Sequence, residues 1–210
     1  DSEALDAALA QIERLSRLLA YLLDLSRLEA GAADLHVAPI TVGPFLRGIA
    51  EDARRASARH ELRWSVQTTP EDLVVAGDEE RLRQVVSNLL DNASRHSPDS
   101  GTVTLSSYAS HGYVVIDVVD EGHGIPEAER DHVFGRFARG NAPAQTGGTS
   151  TGGTGLGLAI ARWAVGLHEG TIAVIDPPAG VGTRIRVRLP ADGPRSTQDD
   201  DLEPATDPAR

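Results

Sequence analysis

The feature that most restricts how this chain can fold is one amphipathic helix over residues 84–96, whose two sides make opposite demands. Leu82, Val85, Val86, Leu89, Leu90 and Ala93 recur at helical spacing, so one side must be covered by the rest of the protein. Beside that stripe stand Asn88, Asn92 and Arg95 at i, i+4 and i+7, so the helix cannot be buried all round. Asparagine competes for local backbone hydrogen bonds and is a poor helix former, and two of them four residues apart point to a task other than stability. An amide oxygen is a neutral ligand for a hard cation such as Mg2+ whose remaining positions are filled by phosphate and water. A merely solvated polar face explains the same residues, and on this helix alone both readings stand.

With 210 residues, 40% of them hydrophobic, the chain has enough apolar surface for one well-buried domain with some length left over. No apolar run approaches the roughly 20 residues of a membrane-spanning helix. The absence of cysteine removes disulfides and thiolate metal sites from consideration and fits a cytoplasmic setting. The formal net charge of -11 argues against a nucleic-acid surface. There is no methionine and residue 1 falls inside a helical pattern, so the sequence is expected to be a piece of a longer protein.

Residues 1–31 read as a single long helix. Leu5, Ile12 and Leu19 repeat every seven residues, as do Ala8, Leu15 and Leu22, which is the seam of a coiled coil or helical bundle. Residues 32–41 read as an extended link. A helix begins near Pro44 with Phe45, Leu46, Ile49, Ala53 and Ala56 on its apolar side. Strands are expected at 62–66 and 73–76, and Asp78 then caps the opening helix with Glu79 and Glu80 in its first turn. Two more strands, 102–107 and 114–119, are joined around Gly112, and the second is so apolar that it must be central.

That central strand runs into Asp120-Glu121-Gly122-His123-Gly124, a carboxylate followed by glycines that let backbone approach a ligand closely. Acidic glycine turns are common, so a plain turn remains a second reading. Residues 140–154 contain no large apolar side chain and are expected to be mobile. They end in Gly152-Gly153-Thr154-Gly155-Leu156-Gly157, which passes straight into an amphipathic helix. Unpaired amides and the dipole at such a helix start suit phosphate. No lysine follows as in a Walker loop, and no strand directly precedes it as in a dinucleotide fold. A hairpin over 171–175 and 183–189 closes through Gly180-Val181-Gly182-Thr183. Residues 191–210, with six acidic and two basic side chains, are expected to be disordered.

In this order NLLDNA (88–93), DEGHGI (120–125), FGRFAR (134–139), GGTGLGLAI (152–160) and GVGT (180–183) resemble, box for box, the catalytic ATP-binding domain of bacterial sensor histidine kinases. The resemblance covers residues 42–190, and residues 15–29 look like the second helix of that family's dimerisation and phosphotransfer domain. It implies an α+β fold, a two-layer sandwich of a mixed, mostly antiparallel sheet and helices of the Bergerat type, preceded by one long coiled-coil-like helix. It implies ATP and Mg2+ as cofactors, with Asn92 as metal ligand and Asn88 beside it. Asp120 would anchor the adenine amino group, supported by Thr183, Gly122 and Gly124, with His96 bordering the base. Arg95 and Arg139 would face the phosphates as the catalytic cations. Gly153, Thr154, Gly155, Leu156 and Gly157 would shape the phosphate loop, and residues 140–154 would be a lid.

The same resemblance implies phosphoryl transfer from ATP to a histidine and onward to the receiver domain of a response regulator. It also implies a homodimer and a cytoplasmic portion of an inner-membrane sensor, attached to the membrane only through segments outside this chain. The family's acceptor histidine lies in a box like HELRTP on a first dimerisation helix, and no such box stands here. His60-Glu61-Leu62-Arg63 imitates its start but continues Trp64-Ser65-Val66 and opens a strand, so the chain is expected to bind ATP without labelling itself. Histidines 36, 111, 123, 132 and 168 show no triad or metal spacing and are expected at the surface or in turns. The alternatives are a non-catalytic ATP-binding module, a related ATPase, which usually has a glutamate near Asn88 to activate water, and a serine-phosphorylating relative that controls sigma factors.

Overall fold

A computed structural model describes residues 35–57, 61–135, 138 and 155–194. The expected long helix (1–31), the decoy His60, Arg139, Gly153, Thr154, the 140–154 lid and residues 195–210 lie outside the described residues.

The elements run β1 (Val37–Thr41), α1 (Val42–Ala56), β2 (Arg63–Thr69), β3 (Val74–Asp78), α2 (Glu79–His96), β4 (Thr102–Ser110) and β5 (Tyr113–Asp120). Two short 3-10 turns follow, Glu127–Glu129 and His132–Phe134, and then α3 (Gly157–Leu167), β6 (Thr171–Ile175) and β7 (Thr183–Pro190). Five strands form one sheet in the order β2-β4-β5-β7-β6. Only β2 and β4 are parallel; the other pairings are antiparallel. The apolar β5 is the middle strand, because a strand buried on both faces cannot sit at an edge without wasting its side chains on water.

Strand alternation divides this sheet into two unlike faces. Val103, Leu105, Val114, Ile116, Val118, Ile185, Val187 and Leu189 point to one side and pack in a single core with the three helices. From α2 the whole stripe Leu82, Val85, Val86, Leu89, Leu90 and Ala93 is buried there. Each such Leu or Val contributes about 1.5–3 kcal/mol through removal from water. The opposite face is polar. There Asp117, 1% exposed, is held between the guanidinium groups of Arg184 (2.6 Å) and Arg186 (2.8 and 3.0 Å) on β7. Arg186 and Arg188 in turn lie over the rings of Tyr108 and Tyr113.

α2 is defined at both ends by side chains. Asp78 Oδ1 accepts from the Arg81 amide at 3.0 Å, and Ser97 Oγ donates to the Ala93 carbonyl at 2.8 Å before Pro98 stops the helix.

Two expectations change. Within residues 32–41, read as an extended link, Val37–Thr41 is a strand paired antiparallel with β3 in a separate two-stranded sheet. Only Ile40 of this strand is buried, so no alternation shows in its sequence, and Pro39 is tolerated on such a short edge. The start of the 191–210 tail is also anchored: Ala191 donates to the Gly112 carbonyl (2.9 Å) and accepts from the Ala76 amide (3.0 Å).

Candidate functional site

Asp120 closes β5 and is 3% exposed. Its Oδ1 accepts from the Gly122 amide at 2.8 Å and the Thr183 amide at 3.2 Å, which binds the acidic turn to the start of β7. Burial pushes this carboxyl above the usual aspartate range, against the backbone bonds from Gly122 and Thr183, the Thr183 side chain and the charge of His96. Gly182 (φ +93°) fits beneath it because a Cβ there would stand 1.8 Å from the Asp120 carbonyl oxygen. The backbone conformation and the contact both exclude a side chain.

α2 is the wall shared by the rest of the site. A Cβ on Gly122 would come within 2.5 Å of the His96 carbonyl oxygen, so the acidic turn is pressed against the C-terminal end of α2. Two turns earlier, a Cβ on Gly157 would stand 3.6 Å from Asn88 Oδ1, so the start of α3 lies against the same helix. Asn88, Asn92 and His96 are at i, i+4 and i+8, and the eight helical steps from the first to the last span about 12 Å. Among the described residues Asn88 Nδ2 is buried with no hydrogen-bond partner, while Asn92 is half-buried. An orphaned amide costs stability unless a ligand satisfies it. α3 starts at Gly157; its N-cap Leu156 offers no side-chain cap and its first turn holds no acidic residue, a helix start whose amides and dipole suit an anion.

Among the described residues no group of three His, Cys, Asp or Glu side chains could hold a metal ion. Asn88 and Asn92 offer neutral amide oxygens, which suit a hard cation whose other positions are filled by phosphate and water. Arg95 is exposed and ion-paired with Asp91 one turn back, a surface pairing weak enough to exchange for phosphate.

Sequence reasoning misplaced one histidine. His123 is exposed in the acidic turn, as expected for a surface or turn residue, and sets its ring against His96 at 5.4 Å between centroids. His168, expected at the surface or in a turn, is 1% exposed. Its signal was present, since 161, 164, 165 and 168 continue the buried stripe of α3. A cavity of about 600 Å3 lies elsewhere, between α1 and the edge strand β2, lined by Arg47, Glu51, Arg54, Trp64 and Val66 and by none of the residues above.

Residues 77–193, which contain Asn88, Asp120, the start of α3 and the Gly182 turn, match the family model described as histidine kinase-, DNA gyrase B- and HSP90-like ATPase. The chain belongs to that ATPase family. It is 39% identical over 197 residues to the probable sensor histidine kinase TcrY of Mycobacterium tuberculosis, covering 92% of this chain and 40% of that protein. Among solved structures, the mycobacterial sensor histidine kinase MprB is 34% identical with a TM-score of 0.63, covering 75% of this chain and 99% of the other. Full-length ShkA in complex with AMPPNP is 27% identical with a TM-score of 0.71, covering 87% of this chain and 37% of the other. The family member described here is therefore a catalytic, ATP-binding domain of the sensor histidine kinase type, and it spans less than half the length of the curated relatives it matches. Among the described residues no helix is long and apolar enough to cross a membrane.

Proposed function

We propose that this domain binds magnesium-ATP along α2 and delivers its γ-phosphoryl group to a histidine on a dimerisation helix outside residues 1–210. A response-regulator aspartate would then receive it. The complete protein would be a homodimer whose present portion is the cytoplasmic part of an inner-membrane sensor. The observation that carries this reading is the single helix face Asn88–Asn92–His96, with the α3 start at one end and the Asp120 turn at the other.

In this reading Asp120 accepts a hydrogen bond from the adenine amino group, and its burial excludes bases without a donor at that position. Gly122, Gly124 and Thr183 shape the base pocket beside it, with His96 at its border. Asn92, with Asn88, orients the metal; when bound, Mg2+ neutralises phosphate charge. Gly153, Thr154, Gly155, Leu156 and Gly157 contribute loop amides to the phosphates, and Arg95 and Arg139 supply positive charge where it develops. The bond from the γ-phosphorus to the bridging oxygen breaks, one to an imidazole nitrogen forms, and ADP leaves. Positioning and electrostatics suffice for such transfer. The AMPPNP bound to ShkA supports nucleotide binding on this fold.

Titration calorimetry with a non-hydrolysable ATP analogue and Mg2+ tests the site. Binding is expected for the wild type and its loss in Asn92→Ala and Asp120→Asn, each with circular dichroism unchanged. Unaltered affinity in both variants would remove the assignment.

A further inference from the structure

His168 is the most deeply buried histidine among the described residues, and it touches none of the site residues above. It caps α3: its Nδ1 is 2.7 Å from the Ala164 carbonyl oxygen, an acceptor left over in the last turn of the helix. Its Nε2 is 2.9 Å from the backbone nitrogen of Asp78, the N-cap of α2. An amide can only donate, so Nε2 accepts, the proton sits on Nδ1, and the ring must be neutral to make both bonds. Burial pushes the imidazole below its usual range, against the pull of Asp78. Room for the ring is made by Gly77, where a Cβ would meet Leu82 Cδ1 at 2.7 Å and His168 Cδ2 at 3.2 Å.

The place of this bond along the two helices gives it a function. α2 and α3 lie side by side in opposite directions, since Asp78 meets His168 at one end and Asn88 meets Gly157 at the other. From Asp78 to Asn88 is ten residues and from Gly157 to His168 eleven, which are runs of ~15 and ~16 Å. The two segments are matched in length, so a fastening at the far end fixes how the α3 start is aligned with the asparagine amides. A slip of one residue would displace them by about 1.5 Å. A second contact at the same end, the Arg81 guanidinium 5.1 Å from the Trp163 ring centre, resists rotation but sets no axial register by itself.

We propose that His168 is a positioning residue for the nucleotide site, pinning α3 to the head of α2 so that the start of α3 meets Asn88 and Asn92 in register. This rests on the nucleotide reading above. Two substitutions in the full 210-residue chain separate it from plain core packing. His168→Gln places an acceptor where Nε2 stands and keeps the bond to the Asp78 amide. His168→Asn places its amide near Nδ1, keeps the cap on Ala164 and cannot reach Asp78. Calorimetry with Mg2+ and a non-hydrolysable ATP analogue is expected to show affinity about tenfold weaker in H168N but within about threefold of wild type in H168Q. Thermal midpoints are expected to fall in both variants.

Equal affinities in the two variants, whatever their midpoints, would overturn the proposal. If H168N does not fold, hydrogen exchange in the wild type decides. Coupling is reciprocal, so nucleotide must slow exchange of the Asp78 amide more than that of Val114 and Ile116 in β5, and an equal effect rejects the pin. A wild type that binds no nucleotide would instead sink the functional reading itself.

Discussion

In the proposed function the Asp120 carboxyl combines recognition with instability. Its proton is held more tightly in the fold than at the ordinary value of 3.8, first because burial disfavours the charge. The sign follows: folding is favoured by the protonated form, and this contribution is lost as pH rises from 3.8 through the raised folded value. The ionised form, the one proposed to receive the adenine amino group, is therefore the destabilising one at neutral pH. Asp120→Asn is expected to raise the thermal midpoint at pH 7 while abolishing nucleotide binding. Wild-type affinity should decline on acidification at a pH above 3.8, as read by calorimetry across a pH series. Gly182→Ala acts on the same residue through its backbone, because its Cβ would collide with the Asp120 carbonyl oxygen. A loss of at least about 2 kcal/mol in urea unfolding is expected, together with weaker nucleotide binding, since backbone must move.

Between elements, the most consequential polar contact outside the site joins β5 to β7. Burial alone would raise the Asp117 carboxyl, yet the hydrogen bonds from Arg186 and Arg184 outweigh it and hold the group below 3.8. Its contribution is therefore present above pH 3.8 and lost as pH falls through the lower folded value. Asp117→Ala would leave two guanidiniums facing each other and is expected to cost on the order of 3 kcal/mol in denaturant titration. The Arg184 and Arg186 side chains remain 20% and 28% exposed, so solvent relieves part of the penalty. Neither the pairing nor the choice of face is visible in the strand sequence, where Asp117 is merely the one charge inside an apolar run. The same holds for β1, whose partner lies 41 and 33 positions downstream at its two ends.

Across the whole molecule, the absence of an acceptor box predicts a division of labour. With radiolabelled ATP the chain is expected to stay unlabelled, and to label a separately supplied dimerisation domain that contains the acceptor histidine. Autoradiography checks both, and label on His60 would contradict the assignment. Much of the fold was legible in the amino-acid sequence. The apolar stripe of α2 dictated a helix laid on a core, Asp78 marked its start, and the unbroken apolar run of β5 made it central. Local chemistry is enough for such features, because side-chain period, capping and turn preference act within a few residues. The ordered boxes carried the resemblance to the ATPase family, which the family match bears out. Only the folded chain decided that β2 runs parallel to β4, that Asp117 takes its partners from β7, and that His168 takes the Asp78 amide as its partner and so joins α3 to α2. Each of these depends on atoms brought together from 39 to 90 positions apart, and no local preference specifies which distant group will satisfy a buried charge or an unpaired amide.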